Sequence, residues 1–229
     1  MLGCISFASI EASIPEESWP LTPPDPSDLE WIKMSEKKAA VWEIAKPYRP
    51  DSVFYALVDE YEKSFFNTTY PEVGIDGAPA VFVKLCDLND FSTSENNPYF
   101  CAVHHLSQLL KLSCERSSMG RFLSFIAHMK PTFKLLLEER DPRALVILAY
   151  WHMKVADAVW FLDRRTKMEC RAICIYLERY HWLDKDIMKM IQAPKKWSGL
   201  IGTAGTSGYG IFPWGTISID ATATPLRGI

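Results

Sequence analysis

The sequence predicts an all-α protein, built as a single multi-helix domain around a buried central helix and followed by an irregular Gly/Thr-rich C-terminal tail. Apolar residues recur at helical spacing along most of the chain, and no strand-like alternation of useful length appears before residue 193. One segment, residues 144–151, is apolar on every side, which is typical of a helix enclosed by other helices. These observations together predict the fold class.

The central helix is expected to begin at Pro142 and to run to about Phe161. Asp141 is suited to accept backbone N–H bonds of the first turn, and Pro142 is tolerated there because that N–H has no helical partner. Every side chain from Ala144 to Trp151 is apolar or aromatic. A helix of this composition has no solvent-facing side, so neighbouring helices must cover it.

The rest of the chain divides by composition. Residues 1–24 contain four prolines without sustained periodicity and are interpreted as a leader or linker. Residues 25–193 form the predicted all-α domain, whose first helix is expected to start with a capping box of Ser27 and Glu30. The helices predicted from periodicity, caps and prolines cover about residues 27–46, 52–65, 81–88, 97–110, 118–129, 133–137, 142–161, 164–180 and 184–191.

Residues 194–229 are expected to form an irregular, flexible tail. Seven of the eleven glycines fall between Gly199 and Gly228, mixed with Thr and Ser. Such a segment buries too little apolar surface to offset the entropy lost on ordering it. Docking of residues 211–214 or 217–219, or a short strand there, stays open as an alternative.

Composition excludes some classes of function. The 229 residues suffice for one substantial core, and the net charge of -3 argues against binding nucleic acid through a basic surface. No apolar run reaches the roughly 18–20 residues needed to span a bilayer. Of the six cysteines, only Cys170 and Cys174 lie close in sequence, whereas zinc sites use close pairs. The cysteines are therefore predicted to be reduced, mostly buried thiols of an intracellular protein.

No catalytic residue and no metal ligand is predicted. The five histidines include no His-Glu-x-x-His pair, and the adjacent His104 and His105 point to different helix faces. The glycines of 205–210 fail the nucleophile-elbow pattern, because Tyr209 stands where the final glycine is required. A Cys–His nucleophile stays open, since its members would meet only in the fold.

A small cluster of basic residues lies at the start of the predicted helix 164–180. It comprises Arg164, Arg165, Lys167 and Arg171. The simpler interpretation is a solvated helix face, and the functional one is contact with an acidic partner. The cluster is too small to hold DNA alone.

Aromatic side chains are abundant, and pockets for flat apolar ligands form between the helices of bundles. Residues of these types also serve simply as core. The candidate ligand-lining residues are Trp42, Phe122, Phe125, Trp151 and Trp160.

Four segments carry a resemblance to a known family. They are Asp51–Phe54 after Trp42, Phe122–Ile126, Asp141–Trp151 and Glu169–Glu178. Together, over about residues 25–190, they resemble the C-terminal regulatory (effector) domain of fungal binuclear-zinc-cluster transcription factors, in particular the sterol uptake control-like subgroup. The resemblance rests on diffuse helical motifs rather than on a catalytic signature.

The resemblance implies a nuclear, non-enzymatic domain that controls transcription through a bound sterol-like apolar molecule or through a protein partner. A homodimer or the transcription machinery is the expected partner. No cofactor is expected within this chain: residues 1–24 lack paired-cysteine spacing, so the zinc cluster is expected only upstream and direct DNA binding is not expected. The alternative function is a helical enzyme acting on an apolar substrate, with Cys and His residues meeting in a cleft.

Overall fold

The computed structural model describes residues 10–33, 44, 46, 49–52, 55, 70–115 and 118–200. These residues form helices and connecting turns and contain no strand, so the all-α prediction is confirmed for the described part. The helices bounded within it are α1 (Ala80–Leu85), α2 (Phe100–Leu110), α3 (Met119–Ala127), α4 (Pro131–Glu138), α5 (Pro142–Ala158), α6 (Asp163–Tyr180), α7 (Lys185–Met190) and α8 (Gln192–Ser198).

The central helix of the fold is α5, as its sequence predicts. Asp141 caps it by accepting hydrogen bonds from the backbone N–H groups of Arg143 at 3.0 Å and Ala144 at 2.9 Å. Residues 144–149 are completely buried, because α2, α3, α4, α6, α7 and α8 all pack against this helix. Its most extensive neighbour is α6. The expected enclosure of the apolar segment is therefore confirmed.

The end of α5 differs from the prediction. The helix stops at Ala158, and Val159 leaves the helical conformation with φ -127° and ψ 82°. Residues Trp160–Leu162 form a short 3-10 helix that leads into α6. The predicted helix to Phe161 is thus two helical segments separated by an extended residue.

The N-terminal leader packs on the domain rather than standing apart from it. Trp19 is buried in the hydrophobic core, and a 3-10 turn, Pro15–Glu17, lies against α6. The side chain of Arg140 donates a hydrogen bond to the carbonyl oxygen of Thr22 at 2.8 Å. The part of the leader that the structure describes is therefore a component of the folded body.

The capping box predicted at Ser27 and Glu30 is not formed. The Ser27 hydroxyl donates to Asp25 Oδ1 at 2.5 Å instead of accepting from the helix, and Leu29 adopts a left-handed conformation with φ 59°. Helical structure therefore begins at Glu30 rather than just after Ser27. The predicted helix 52–65 lies largely outside the described residues.

Prolines and glycine mark the helix boundaries near the C-terminus of the domain. Pro131 separates α3 from α4, as predicted. Pro194, by contrast, lies buried within α8, so the helical domain extends past the predicted boundary at residue 193. Gly199 ends α8 in a left-handed conformation, φ 80°, that glycine adopts without steric cost. The predicted flexible tail, with its candidate docking segments, lies outside the described residues from 201 onward.

Candidate functional site

Three of the predicted ligand-lining residues come together in the core. Phe122, Phe125 and Trp151 are each at most 2% exposed. Trp42 lies outside the described residues. Trp160 is 76% exposed, so its assignment to the same pocket is wrong. The physical reason is the early end of α5, because Val159 breaks the helix and the following 3-10 turn carries Trp160 into solvent.

Trp151 is the centre of an aromatic stack that spans the core. The Trp31 ring stacks on one side with centroids 5.9 Å apart, and the Phe125 ring stacks with centroids 5.8 Å apart. The indole Nε1–H of Trp151 donates to the carbonyl oxygen of Phe122 at 2.8 Å, so the buried polar atom is satisfied. Trp31 is one of the abundant aromatic residues that could line such a pocket by sequence, and it lies in an apolar helical stripe.

The described residues pack closely around the stack, and the void they leave beside it is small. The void bordering Phe125 has a volume of about 10 Å³. That volume is close to the minimum that holds one water molecule. Its lining residues are Cys101, Ala102, His105, Phe125, His128, Met129, Lys130 and Phe133. In this arrangement Phe122, Phe125 and Trp151 act as core, and the void bordered by the described residues is too small for a larger ligand.

A buried polar group lies against the aromatic stack. Arg165 Nη1 is 2.5 Å from Glu169 Oε1, and His152 Nε2 is 3.4 Å from Glu169 Oε2. The side chains of His152, Arg165 and Glu169 are 0%, 11% and 5% exposed. The Arg165 guanidinium also lies 5.3 Å from the centre of the Trp31 ring, within cation–π distance. We call these three residues the His152 group.

The hydrogen bonding of the His152 group is incomplete. Neither ring nitrogen of His152 makes a hydrogen bond with a described residue, and Glu169 Oε2 accepts none. Buried polar atoms are normally satisfied, and each exception costs about 1–3 kcal/mol. These atoms can bind a hydroxyl, an amide or a water molecule that supplies the missing hydrogen bonds.

Sequence reasoning missed the His152 group for an identifiable reason. The sequence placed Arg165 in a small basic cluster, but in the structure Arg165 forms an ion pair with Glu169. Lys167 of the same cluster forms an ion pair with Asp163 at 2.9 Å. Arg171 Nε donates to the Ser198 carbonyl oxygen, so three of the four basic side chains of this cluster have a described partner. A histidine and a glutamate at core-facing positions of two long helices were the available signal.

Another buried histidine, His105, forms a complete hydrogen-bond chain. Its Nδ1 is 2.7 Å from the Tyr70 hydroxyl, and its Nε2 is 3.0 Å from Ser124 Oγ. The Ser124 hydroxyl donates its single proton to the carbonyl oxygen of Arg121 at 2.7 Å. His105 Nε2–H must therefore donate to Ser124, which leaves Nδ1 to accept from Tyr70. We call these residues the His105 chain.

The hydrogen bond between His105 and Ser124 runs in the direction opposite to that of a catalytic dyad. A general base needs a free lone pair directed at the serine hydroxyl, whereas His105 donates there. Burial, with smaller effects of His128 and Arg121, lowers the pKa of His105 to about 3. The ring is neutral at physiological pH, and Ser124 is 1% exposed. The contact that the enzyme alternative needs is present but is not arranged for nucleophilic attack.

The described cysteines are all free thiols, and three of them, Cys86, Cys170 and Cys174, are buried. Burial raises the pKa of Cys86 to about 12 and also raises the pKa of Cys101, which lines the same small void as His105. Thiols of this kind are weak nucleophiles, because the thiolate is the reactive form. The described residues contain no activated Cys–His pair.

The outer surface carries a shallow concavity of about 500 Å³ beside α1. It is lined by Ile75, Ala78, Ala80, Val83, Lys84, Asp87 and Leu88 and contains no histidine or cysteine. Over the ranges that the structure describes, no three His, Cys, Asp or Glu side chains approach closely enough to hold a metal ion. Within the same ranges, no helix has the length and apolarity needed to cross a bilayer.

Comparison with protein-family models, with curated protein sequences and with solved structures finds no match for this chain.

Proposed function

We propose that this chain is the regulatory domain of a fungal transcription factor of the binuclear-zinc-cluster type, acting in the nucleus. It would control transcription through a sterol-like apolar molecule or through a protein partner, either a second copy or the transcription machinery. Zinc and direct DNA contacts would belong to a cluster encoded upstream of residue 1. The proposal rests on the resemblance of its helical segments, since no comparison assigns a family.

The observation that carries the proposal is the position, in the core, of the segments that resemble the family. Residues 122–126 of α3 and 169–178 of α6 lie in helices that both pack against α5, which with its cap residue contains residues 141–151. Trp151 at the end of the α5 segment has Phe125 stacked on it and the His152 group beside it. A ligand that displaced α5 would change its packing against both α3 and α6, so the core can couple binding to helix arrangement.

The packing also constrains the mechanism. Because Phe125 and Trp151 are almost completely buried against each other, an apolar ligand that entered the stack requires α3 to move away from α5. Only an open state would then bind the ligand, which would shift the population toward that state. The unsatisfied atoms of the His152 group supply a hydrogen-bonding site for the polar end of a mostly apolar ligand.

Thermal unfolding in the presence of sterols and other hydrophobic lipids tests this function. A ligand at about 100 times its Kd stabilises the folded state by about 2.7 kcal/mol, which raises Tm by about 5–10 °C for a domain of this size. Trp151→Phe removes the Nε1–H bond and part of the stack, so the ligand-induced shift should shrink. Trp160→Phe, a matched change on the exposed surface, should keep the full shift.

No shift across the lipid panel would remove the ligand-sensing form of the proposal. Equal shifts in the Trp151→Phe and Trp160→Phe variants would place the ligand away from the aromatic stack. Genomic sequence upstream of residue 1 offers an independent test, because a paired-cysteine cluster in frame is expected there. An upstream region without such a cluster would contradict the transcription-factor assignment itself.

A further inference from the structure

Two atoms of the His152 group, His152 Nε2 and Glu169 Oε2, lie 3.4 Å apart without a hydrogen bond between them. Neither atom has a hydrogen-bond partner among the described residues. The two side chains are 0% and 5% exposed, so bulk water does not reach them. An oxygen atom placed about 2.8 Å from both atoms is within hydrogen-bond distance of each. The two side chains are therefore arranged to hold one added oxygen.

The charges of the His152 group select a neutral ligand. The Arg165 guanidinium and the Glu169 carboxylate form an ion pair at 2.5 Å, and their charges cancel. A charged ligand would lose its hydration at a buried position without an opposite charge to compensate it. An anionic ligand would in addition face the Glu169 carboxylate.

The hydrogen-bonding capacity of the same atoms selects a hydroxyl group. Glu169 Oε2 needs a donor, whereas a neutral imidazole offers one N–H donor. An alcohol donates its proton to Oε2 and accepts from His152 Nε2–H, so both atoms are satisfied. A ketone or an ester has only acceptors and leaves Oε2 unsatisfied, and a hydrocarbon satisfies neither atom.

Trp31 covers the His152 group on its aromatic side. The Trp31 ring centre lies 5.9 Å from that of Trp151, 6.3 Å from that of His152 and 5.3 Å from the Arg165 guanidinium. Trp31 belongs to the N-terminal segment 10–33, whereas the His152 group lies on α5 and α6, which pack extensively on each other. Displacement of the Trp31 indole therefore opens the group without separating α5 from α6.

We propose that the His152 group is the binding site for the hydroxyl of a neutral alcohol whose apolar body takes the place of the Trp31 indole. The hydroxyl donates to Glu169 Oε2 and accepts from His152 Nε2–H, and the apolar body packs on the Trp151 ring. This inference rests on the proposed function only in that a ligand enters this core. It adds the chemical class of the ligand and the two atoms that recognise it.

A variant that opens the site tests the proposal with small probes. Trp31→Ala in the full 229-residue chain leaves space beside the His152 group, and engineered cavities in protein cores bind small ring compounds. Cyclohexanol should bind this variant about tenfold or more tightly than cyclohexanone, because the ketone cannot donate to the Glu169 carboxylate. NMR titration measures both affinities, and the ring nitrogen signals of His152 should move with cyclohexanol. Far-UV circular dichroism checks folding, and if Trp31→Ala is unfolded, Trp31→Leu opens a smaller space for the same comparison.

Two further variants show whether the preference comes from the His152 group. Phe125→Ala is the matched control, because it opens space beside His105, whose ring nitrogens both have partners. It should bind the alcohol and the ketone about equally. Glu169→Gln in the Trp31→Ala background should abolish or reverse the preference. The Gln amide turns its oxygen to the Arg165 guanidinium, so its NH₂ group replaces Oε2 and donates to the ketone.

Equal affinity for the two probes in the folded Trp31 variant would overturn the proposal. Binding of neither probe would also overturn it and would assign the unsatisfied atoms to a water molecule. The same preference in Phe125→Ala, or an undiminished preference after Glu169→Gln, would show that recognition lies elsewhere.

Failure of the proposed function gives a different result. The absence of any shift across the lipid panel, with a clear preference for cyclohexanol in the Trp31 variant, would remove lipid sensing and keep the alcohol site. Lipid shifts without that preference would keep the function and overturn the alcohol site.

Discussion

Two of the three buried histidines, His105 and His152, differ in how their ring nitrogens are satisfied. His105 on α2 is 3% exposed and His152 on α5 is 0% exposed, and both lie beside aromatic rings. His105 has a hydrogen-bond partner on each nitrogen, whereas His152 has none among the described residues. Burial is nearly the same, so the difference lies in the polar partners alone.

This comparison indicates which part of the core is suited to change. The His105 chain satisfies each of its polar atoms and therefore holds α2, α3 and the Tyr70 segment in one arrangement. The His152 group leaves polar atoms unsatisfied between α5 and α6, so this arrangement carries a cost that a bound hydroxyl or water would relieve. An alternative packing that satisfies those atoms would therefore be closer in free energy to the observed packing at His152 than at His105.

The largest expected effect comes from removing the carboxylate of the His152 group. Glu169→Ala leaves the buried Arg165 guanidinium without its negative partner, and should lower the free energy of unfolding by about 3 kcal/mol. Glu178→Ala is the matched control, since Glu178 pairs with Lys195 at a 39% exposed position. It should cost about 0.5 kcal/mol. Urea denaturation measures both, and equal losses would contradict the role assigned to burial.

The same substitution at the two histidines should give different results. His105→Leu removes the partners of Tyr70 and Ser124 and should lower the unfolding free energy by about 2 kcal/mol at pH 7. His152→Leu removes atoms that have no hydrogen bonds and should change it by no more than about 1 kcal/mol, in either direction. Comparable losses in the two variants, measured by urea denaturation, would show that His152 is satisfied in solution.

Whether the sequence predicts a feature of this core depends on how far apart in the chain the residues that determine the feature lie. Local signals were sufficient for α5: Asp141 provides the cap, and the uninterrupted apolar run predicts complete enclosure. The break at Pro131 is equally local. These features follow from a few adjacent residues, so periodicity and capping rules predict them.

The features that sequence reasoning missed depend on residues far apart in the chain. Periodicity gives the inward face of α5 and of α6 but not the register between them, so the meeting of His152 with Glu169 was not predictable. The burial of Trp19 likewise depends on core residues far away in the chain, although the surrounding prolines suggest a linker. The exposure of Trp160 depends on one residue, Val159, whose conformation has no clear sequence signal.

The pH dependence of stability provides a third test of the comparison. Burial lowers the pKa of His105 from 6.5 to about 3, so below pH 6.5 the unfolded chain binds a proton there that the folded chain does not. The stability contributed by neutral His105 is therefore present above pH 6.5 and lost as the pH falls, at about 1.4 kcal/mol per pH unit. Between pH 7 and pH 5 the stability advantage of the wild type over His105→Leu should shrink by about 2 kcal/mol. An advantage that stays constant over this range would contradict a neutral, buried His105.

The smallest predicted effect isolates a single hydrogen bond of the His105 chain. Tyr70→Phe removes the hydroxyl that donates to His105 Nδ1 and should lower the unfolding free energy by about 1 kcal/mol. The same change in the His105→Leu background should cost nothing, because the acceptor is already gone, so a double-mutant cycle reports the bond directly. Tyr180→Phe, at a 65% exposed position, is the control and should leave stability unchanged. If Tyr70→Phe costs the same in both backgrounds, the cost is lost packing, and His105 would then lack the second partner that distinguishes it from His152.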